Sequence, residues 1–433
     1  MSSTRLIGNT FIVGDNESYI VYSPFSGKIT RVHSFPENGS KIFESLRSLG
    51  FFENIPKTTL MDDVDTWGGF RSLTLLLTRR CNLACVYCYA TARTFGRTMN
   101  RDLALGALNW FSEQFKGNTI RVSFHGGGEP TLEHVLIKEV VSRTYHLAEE
   151  SGKKTRFQIV TNGTADTSLM EWFIKNNFGI SISSDGPASI QNRNRPFANG
   201  NESSRVVENT IRYLVANNYP FTVRLTFSPT DNIEEIVSHF GGLGVKSLHI
   251  EPLFPHGREY KKKFFEVKGK NELYSLNGID FVKSFLKAME VAQRYGIKIT
   301  NSHLGHFTKG LGYFCGSASG RSMIVTDDGF ISGCLEVVDA KDQNFGIFQL
   351  GKFHSEQNTF VVDKNVLARF QVRHSDILSH CKKCFARYVC SGGCAVKAVR
   401  ASGKFMDRDI PYCIFTKALI PAIVEKIARL SGV

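Results

Sequence analysis

Apolar runs alternate with amphipathic helical segments between residues 71 and 253, and this alternation constrains the fold more than any other feature of the chain. The strand candidates are 72–78, 119–125, 155–161, 179–184, 221–227 and 247–253, and the helix candidates between them include 101–116, 131–149, 203–217 and 232–241. Near-continuous apolar strands separated by helices are typical of a parallel sheet whose two faces are covered. The sequence therefore predicts an α/β fold, either a doubly wound sheet or a full or partial barrel.

Unusual residues follow each of the first four predicted strands. They are Cys81 after the first, GGGEP at 126–130 after the second, Asn-Gly at 162–163 after the third and Asp-Gly-Pro at 185–187 after the fourth. In parallel α/β folds the reactive groups gather just beyond the carboxyl ends of the strands, and glycine there lets the backbone approach a ligand closely. We therefore expect the functional site at this edge of the sheet.

Ten cysteines fall into two blocks, with no cysteine from 89 to 314. The first block, Cys81, Cys85 and Cys88, supplies three thiols within eight residues. In a reducing compartment such spacing indicates a metal site rather than disulfides. Three thiols can hold three irons of an iron–sulfur cube and leave the fourth iron open to a small molecule. The alternatives are a zinc knuckle with a distant fourth ligand or three unrelated buried thiols, and neither explains the position at a strand end.

The CxxxCxxC spacing, with a tyrosine before the last cysteine, resembles the radical S-adenosylmethionine (SAM) superfamily. The resemblance extends over about 71–253, because the GGEP motif at 127–130 and the later strand-end motifs follow in order. It implies a partial (β/α)6 barrel in which Cys81, Cys85 and Cys88 bind a [4Fe–4S] cluster and the open iron binds SAM. It also implies formation of a 5′-deoxyadenosyl radical, with the cofactors carrying the difficult chemistry.

The resemblance further implies which residues contact SAM. The GGEP segment holds the amino group of SAM, the fourth-strand motif and a basic partner serve its carboxylate, and the backbone of the tyrosine approaches its adenine. The residues that we expect to bind this cofactor are Tyr87, Gly127, Gly128, Glu129, Asn162, Ser183 and Arg205.

The second block of seven cysteines has spacings that match the SPASM domain of radical SAM maturases. The match implies two auxiliary [4Fe–4S] clusters and therefore three clusters in all. The first auxiliary cluster would use Cys315, Cys334 and Cys394, with a fourth ligand that we cannot identify or an iron open to substrate, and the second would use Cys381, Cys384, Cys390 and Cys413. A tandem zinc ribbon is the alternative for CxxC pairs alone. The segment 381–394 has no hydrophobic period and needs metal to fold.

Catalytic residues are only weakly indicated. Glu251 and His256 lie at and beyond the end of the sixth predicted strand, although structural ion pairing is the commoner role for such residues. In sulfatase maturases, a related SPASM group, an Asp directly after the second auxiliary cysteine acts as base. Here that position is Leu335, and Glu336 is the next carboxylate that could replace it.

The chain divides into three predicted domains. Residues 1–66 form a small α/β appendage, with strand-like runs at 10–13 and 19–23 and a helix-like segment at 40–52. The appendage is either a peptide-recognition module or a packing element. Residues 67–300 form the partial barrel and end in a long helix near 275–296. Residues 301–433 form a loop-rich, cluster-binding SPASM domain with a closing helix at 414–430.

Hydropathy and charge indicate the cellular compartment of the protein and the kind of partner that it binds. No apolar stretch approaches the ~18 residues of a membrane span, and the N-terminus lacks the apolar core of a secretory signal, so we expect a cytoplasmic protein. Lys and Arg exceed Asp and Glu by 53 − 40 = 13. This excess suits an acidic leader peptide, but a basic, zinc-binding nucleic-acid protein built on the C-terminal cysteines is an alternative from another class.

The sequence therefore predicts a radical SAM enzyme that modifies a peptide. The resemblance implies hydrogen abstraction from a residue and an oxidative crosslink (thioether, carbon–carbon or carbon–oxygen) in a ribosomally made precursor peptide. A one-electron reductant such as a flavodoxin or ferredoxin is the second expected partner. The alternative within the class is oxidation of Ser or Cys in a protein, as in anaerobic sulfatase maturases.

Overall fold

The computed structural model describes residues 3–8, 10–14, 17–23, 26–52, 70–90, 92, 95–228, 230–253, 272–302 and 313–433. The predicted boundary near 62–67 and the candidate His256 lie outside the described residues. Within them the chain forms a small N-terminal sheet and one large sheet that contains all six predicted strands.

The N-terminal region is a four-stranded antiparallel sheet with one helix. Its elements are β1 (Ser3–Ile7), β2 (Thr10–Gly14), β3 (Tyr19–Ser23), β4 (Lys28–Val32) and α1 (Lys41–Ser48). Phe11 and Ile20 on one face join the main hydrophobic core, whereas Val21 packs with Leu46 and Phe51 on the other face. Sequence analysis found β2, β3 and α1 but not the edge strands β1 and β4, because half-exposed edges carry few apolar residues.

The large sheet has a parallel part and an antiparallel extension. In chain order its strands are β5 (Ser72–Leu75), β6 (Thr119–Phe124), β7 (Lys154–Thr161), β8 (Gly179–Ser183), β9 (Phe221–Phe227), β10 (Ser247–Pro252), β11 (Lys298–Thr300), β12 (Ser322–Val325), β13 (Phe330–Ser332), β14 (Gln349–His354) and β15 (Thr359–Val362). Their order across the sheet is β11-β10-β9-β8-β7-β6-β5-β12-β13-β14-β15, parallel as far as β12 and antiparallel beyond it. Within the described residues the parallel part does not close on itself, so the predicted α/β fold with a partial barrel is confirmed.

Helices connect the parallel strands. They are α2 (Arg101–Gln114), α3 (His134–Glu150), α4 (Thr167–Lys175), α5 (Ala188–Asn194), α6 (Ser204–Ala216), α7 (Ile233–Gly242) and α8 (Glu272–Tyr295). Asn100 and Asp166 accept the backbone N–H groups of Leu103 and Leu169 and so cap α2 and α4, which is how a helix begins directly after a loop. No helix in the part of the chain that the structure describes is long and apolar enough to cross a bilayer.

The C-terminal region continues the same sheet. Its first strand, β12, pairs in parallel with β5 and places Ile324 opposite Thr74. The helices α9 (Phe345–Phe348), α10 (Lys364–Gln371), α11 (Arg387–Cys390), α12 (Ala395–Ser402) and α13 (Ile410–Leu430) follow. Besides the expected loops, the region thus holds short strands and helices that the sequence did not reveal, because such short elements are stabilised by their neighbours rather than by their own pattern.

Arg79, two residues before the first cysteine, ties the barrel to the C-terminal region. Its guanidinium lies 2.6 Å from Asp327, 3.0 Å from Asp328 and 2.7 Å from Asp339. Burial raises the pKa of Asp327 to about 6, and the charge of Arg79 opposes that shift. This ion-pair network fixes the turn between β12 and β13 against the backbone that leads into Cys81.

Candidate functional site

Four loops meet at the carboxyl edge of the parallel strands. They follow β5, β6, β7 and β8 and contain residues 81–88, 126–129, 162–164 and 184–186. Because these strands pair in parallel with their neighbours, their carboxyl ends lie side by side. The structure thus brings together residues that came from four separate sequence motifs.

The loop with the first three cysteines is held by the chain segment that follows α5. The N–H of Ala84 donates to the carbonyl of Pro196 at 2.8 Å, and the N–H of Val86 donates to the carbonyl of Asn194 at 2.9 Å. These are backbone hydrogen bonds, so they can form whichever side chains stand at the three cysteine positions.

The GGEP loop packs directly on the backbone that precedes Cys81. A Cβ on Gly128 would lie 1.9 Å from the carbonyl oxygen of Arg80, and one on Gly127 would lie 2.8 Å from that of Thr78. Gly127 also has a φ of +74°, which side-chain-bearing residues rarely adopt. Glycine is therefore required at both positions to bring the two loops into contact, as expected for a backbone that approaches a ligand.

Glu129 is buried and ties the ends of β6 and β7 together. One carboxylate oxygen accepts hydrogen bonds from the backbone and hydroxyl of Thr131 at 3.1 and 2.8 Å and from the hydroxyl of Thr161 at 2.6 Å. The other accepts the N–H of Asn162 at 2.7 Å. Burial raises the pKa of Glu129 and these hydrogen bonds oppose it. The structure gives Glu129 a positioning role, and its contact with SAM stays a prediction.

Asp185 of the DGP motif is a buried carboxylate that was not among the predicted site residues, and it connects the cysteine loop with residues 194–195 and with β9. It pairs with Arg195 at 3.0 Å and accepts hydrogen bonds from the hydroxyl of Tyr87, the side chain of Asn194 at 3.2 Å and the N–H of Thr226 at 3.2 Å. The guanidinium of Arg195 also lies 5.2 Å from the ring centre of Tyr87. The available sequence signal was the pair of motifs DGP and NRP, whose charges complement each other.

The remaining predicted SAM contacts differ in their placement. The side-chain amide of Asn162 lies 3.9 Å from the sulfur of Cys81 and donates to Asn82 at 2.8 Å. Ser183 ends β8 beside the same loops. Arg205 lies in the first turn of α6 with an exposed side chain, whereas the buried cation near the cysteine loop is Arg195.

The three thiols of Cys81, Cys85 and Cys88 lie on one loop. A cubane takes one thiolate at each iron, so three thiols would leave one iron without a protein ligand. Burial raises the pKa of Cys81 to about 12 and that of Cys85 to about 11. Thiols with such pKa values give up their protons to a metal rather than to water. The donor set therefore fits a [4Fe–4S] cluster with one open iron.

Four of the C-terminal thiols lie together. Burial raises the pKa of Cys390, and the nearby charges of Cys413, Cys381 and Cys384 raise it further. Burial likewise raises the pKa of Cys381 to about 11, and Cys384 and Cys413 add to the shift. These four residues are the set that the sequence assigned to one auxiliary cluster, and we call them the four-thiol group.

The other three C-terminal thiols form a second group. Burial raises the pKa of Cys334, and the charges of Glu336, Cys394 and Cys315 raise it further. Burial also raises the pKa of Cys394 to about 11, again with contributions from Glu336 and Cys315. The structure thus gathers the three cysteines that the sequence assigned together, and we call them the three-thiol group.

Comparisons with known proteins place this site in a family. Residues 75–241 match the model of the radical SAM superfamily. The chain contains a radical SAM domain. It is 28% identical over 261 residues to the uncharacterized protein MJ0907 of Methanocaldococcus jannaschii. The aligned region covers 59% of this chain and 88% of that protein. It is 23% identical over 328 residues to the serine-type anaerobic sulfatase-maturating enzyme of Klebsiella aerogenes, with coverage of 72% and 76%.

Solved structures extend the likeness to the C-terminal region. Native anSMEcpe with bound AdoMet and Cp18Cys peptide gives a TM-score of 0.66 at 18% identity, covering 84% of this chain and 99% of that chain. Streptococcus suis SuiB bound to the precursor peptide SuiA gives 0.53 at 12% identity, with coverage of 92% and 97%. At these identities the likeness concerns the fold alone, in which the cysteine-rich C-terminus of this chain is SPASM-like.

The interior face of the radical SAM domain is polar. On β9 the side chains of Val223 and Leu225 are buried in the hydrophobic core, so the intervening Arg224 points to the opposite, interior face. The strand register places Ser183 of β8 and His249 of β10 beside Arg224. Sequence analysis did not select Arg224, because its alternation with apolar residues, together with Thr222 and Thr226, shows which face it shares but not that this face lines a site.

The candidate base Glu251 belongs to the same interior. Its carboxylate accepts the N–H of Ser302 at 2.7 Å and lies 2.9 Å from the imidazole of His249. Burial lowers the pKa of Arg224, and the charge of Glu251 opposes that shift. Glu251 thus faces the interior but already has partners there, and its catalytic role stays a prediction.

Tyr89 lies between the cysteine loop and the three-thiol group. Burial raises the pKa of Tyr89, and the charges of Cys88, Glu336 and Cys334 raise it further. The second candidate base, Glu336, is in this space as well, where its carboxylate pairs with Arg400 at 2.5 Å. Tyr89 and Leu335 also pack against the same small hydrophobic cluster, so the chain just after Cys88 lies close to the chain just after Cys334.

Proposed function

We propose that the protein is a radical SAM peptide maturase that installs an oxidative crosslink, thioether, carbon–carbon or carbon–oxygen, in a ribosomally made peptide. The observation that carries this proposal is that Tyr89 and Leu335 pack against one hydrophobic cluster, which brings the loop of Cys81, Cys85 and Cys88 beside the segment that carries Cys334. A hydrogen-abstracting site and an electron-accepting site are then within reach of the same substrate.

The first site would hold the SAM-binding cluster. When bound there, a [4Fe–4S] cluster and SAM supply a 5′-deoxyadenosyl radical that can take hydrogen from an unactivated carbon. Cys81, Cys85 and Cys88 would be the protein ligands, while Gly127 and Gly128 present their backbone beside them. The Asp185 network keeps this loop in place before any ligand binds, which is the preorganisation that a reactive centre needs.

Two auxiliary clusters would occupy the C-terminal thiols. A cluster at the three-thiol group would receive the electron that remains after bond formation, or bind a substrate thiolate. A cluster at the four-thiol group would pass that electron on to an oxidised one-electron carrier. A one-electron reductant such as a flavodoxin or ferredoxin would supply the electron that the SAM-binding cluster needs. The basic charge of the chain supports an acidic leader peptide as the part of the precursor that is recognised.

Oxidation of Ser or Cys in a protein, as in anaerobic sulfatase maturases, is the second candidate. The relatives from Klebsiella support it, and solved structures support both candidates through the fold. Against it stands Leu335 at the position of the expected base. Glu336, the nearest replacement, is paired with Arg400.

The cluster content is tested first. Protein purified without oxygen should be brown, with about twelve irons and matching sulfide per chain, and should cleave SAM to 5′-deoxyadenosine when reduced. Colourless protein that contains zinc and does not cleave SAM would instead indicate the nucleic-acid-binding alternative.

The product decides between the two enzymatic candidates. We would co-express the enzyme with short precursor peptides encoded beside its gene and, separately, with a sulfatase-type Ser or Cys peptide. A crosslink removes about two hydrogens and resists fragmentation between the joined residues, since both ends stay attached. Oxidation of Ser or Cys instead creates an aldehyde that a hydrazide reagent captures. Capture only from the second peptide would contradict the crosslinking proposal.

A further inference from the structure

Arg373 is a buried cation without a carboxylate partner in the described part of the chain. It follows α10, its side chain is 1% exposed, and it is among the largest fully buried side chains. Its Nε donates to the carbonyl of Phe405 at 2.7 Å, and its Nη1 donates to that of Gly393 at 3.0 Å. Its Nη2 donates to the carbonyls of Asp407 at 3.1 Å and Gly392 at 3.4 Å. The fork of donors is thus used entirely on backbone oxygens.

The carbonyls that Arg373 holds belong to the loops that present the cysteines. Gly392 and Gly393 lie between Cys390 of the four-thiol group and Cys394 of the three-thiol group, and both glycines have positive φ. Residues 405–407 lead into α13, which carries Cys413. One side chain therefore joins the turn shared by both groups to the segment that delivers another ligand.

The charge of Arg373 acts on both thiol groups. Its electrostatic partners are Cys394 and Cys315 of the three-thiol group and Cys381 and Cys390 of the four-thiol group. Burial of a guanidinium that contacts only neutral carbonyls costs free energy, because a buried ion is normally paired with an opposite charge. Thiolates bound to iron would supply that opposite charge, whereas protonated thiols would not.

We propose that Arg373 is the shared counterion and clamp of the two auxiliary sites, so that it holds their cysteine loops in register and makes both clusters easier to reduce. The proposal rests on the two auxiliary clusters of the proposed function. Reduction adds one electron to a cluster, and a nearby fixed positive charge stabilises that added negative charge. Arg373 is thus a positioning residue, since it acts through the cysteine ligands.

The test compares Arg373→Gln, which removes the charge, with Arg373→Lys, which keeps the charge but loses the fork of donors. Arg369→Gln is the matched control, because Arg369 is an exposed arginine of α10, four residues before Arg373. Iron content and anaerobic redox titration, followed by electron paramagnetic resonance, are measured on each variant of the reconstituted full chain. The signal of the SAM-binding cluster, identified by its change when SAM is added, serves as the internal reference.

We expect Arg373→Gln to shift the potentials of the auxiliary signals to more negative values, or to lower the iron content by one or two clusters, while the SAM-responsive cluster is unchanged. The potentials of the auxiliary signals in Arg373→Lys should lie between those of Arg373→Gln and those of the control. Unchanged iron and unchanged auxiliary potentials in both variants would overturn the proposal, and so would loss of all three clusters together, which would show a general core role. The iron content of the wild type is measured before any variant is made. A value of only about four irons per chain would contradict the two auxiliary clusters of the proposed function, rather than the role of Arg373.

Discussion

The two sulfur sites of this protein are built in opposite ways. The three cysteines of the radical SAM domain lie on one loop, which backbone hydrogen bonds to 194–196 and the buried Asp185 network hold from outside. The seven C-terminal cysteines come from loops and helix ends between 315 and 413, and their charged neighbours include one another, Arg373 and Glu336. We therefore predict that the first site keeps its loop in place without a cluster, whereas order in the second region depends on the auxiliary clusters of the proposed function.

The largest effect should follow from removing the first three ligands. In the Cys81→Ala, Cys85→Ala, Cys88→Ala variant we expect formation of 5′-deoxyadenosine to disappear and iron to fall by about four per chain. The fold should persist, because the loop is held through its backbone. Persistent SAM cleavage in this variant would contradict the assignment. The matched variant Cys381→Ala, Cys384→Ala, Cys390→Ala should keep SAM cleavage but lose order in the C-terminal region.

Removal of all iron by a chelator tests whether the C-terminal region depends on its clusters more than the radical SAM domain does. Structural clusters contribute to folding free energy, so amide hydrogens in 381–413 should exchange much faster in the cluster-free protein. Amide hydrogens in β6–β9 should keep their protection, since their stability comes from sheet pairing and the core. The measurement is hydrogen–deuterium exchange by mass spectrometry. Equal loss of protection in both regions would show that the two sulfur sites depend equally on their clusters.

Replacing the buried carboxylate of the first site should cost about 3–5 kcal/mol of unfolding free energy. Asp185→Asn leaves the guanidinium of Arg195 buried without its counterion. The matched control is Glu208→Gln, because Glu208 and Arg212 form an exposed pair one helical turn apart, worth about 0.3–0.5 kcal/mol. Denaturant unfolding without oxygen measures both. A loss for Asp185→Asn no larger than that of the control would show that the network does not support the loop.

The smallest effect concerns pH. Burial and the charge of Arg224 lower the pKa of His125 to about 3, so the folded state keeps this histidine neutral while the unfolded state takes up a proton below about pH 6.5. The stability that His125 provides is present above that pH and is lost on acidification, by about 1.4 kcal/mol between pH 7.5 and 5.5. His125→Gln should remove this part of the pH dependence. His134→Gln, at an exposed histidine, is the control, and identical pH profiles for the wild type and His125→Gln would contradict the predicted shift.

The sequence predicted the strands of the radical SAM domain and the closing helix at 414–430 closely, and the short C-terminal elements poorly. The apolar run 221–227 coincides with β9 because the strand is buried in the core on one face and bounded by polar turns. Strands such as β13, of three residues, carry too few side chains for a period to be read. Their positions follow from pairing with neighbouring strands, as β13 pairs with both β12 and β14.

The same difference applies to the site residues. Cys81, Cys85, Cys88 and the GGEP glycines could be found because their function requires fixed spacing within one loop. Asp185, Arg224 and Arg373 could not be found in this way, since the role of an Asp or Arg depends on the charges around it and on its burial. Those surroundings arise only when separate segments pack together.

By itself, the sequence determined the parallel α/β architecture and the ten thiols with their spacings, because these depend on local patterns of two to eight residues. Only the tertiary structure decided which thiols are neighbours, which buried cation lies between them and which polar side chains face the interior. The physical reason is that electrostatic and packing energies depend on distance in space, and a folded chain brings residues such as Arg373 and Cys315 together although 57 positions separate them.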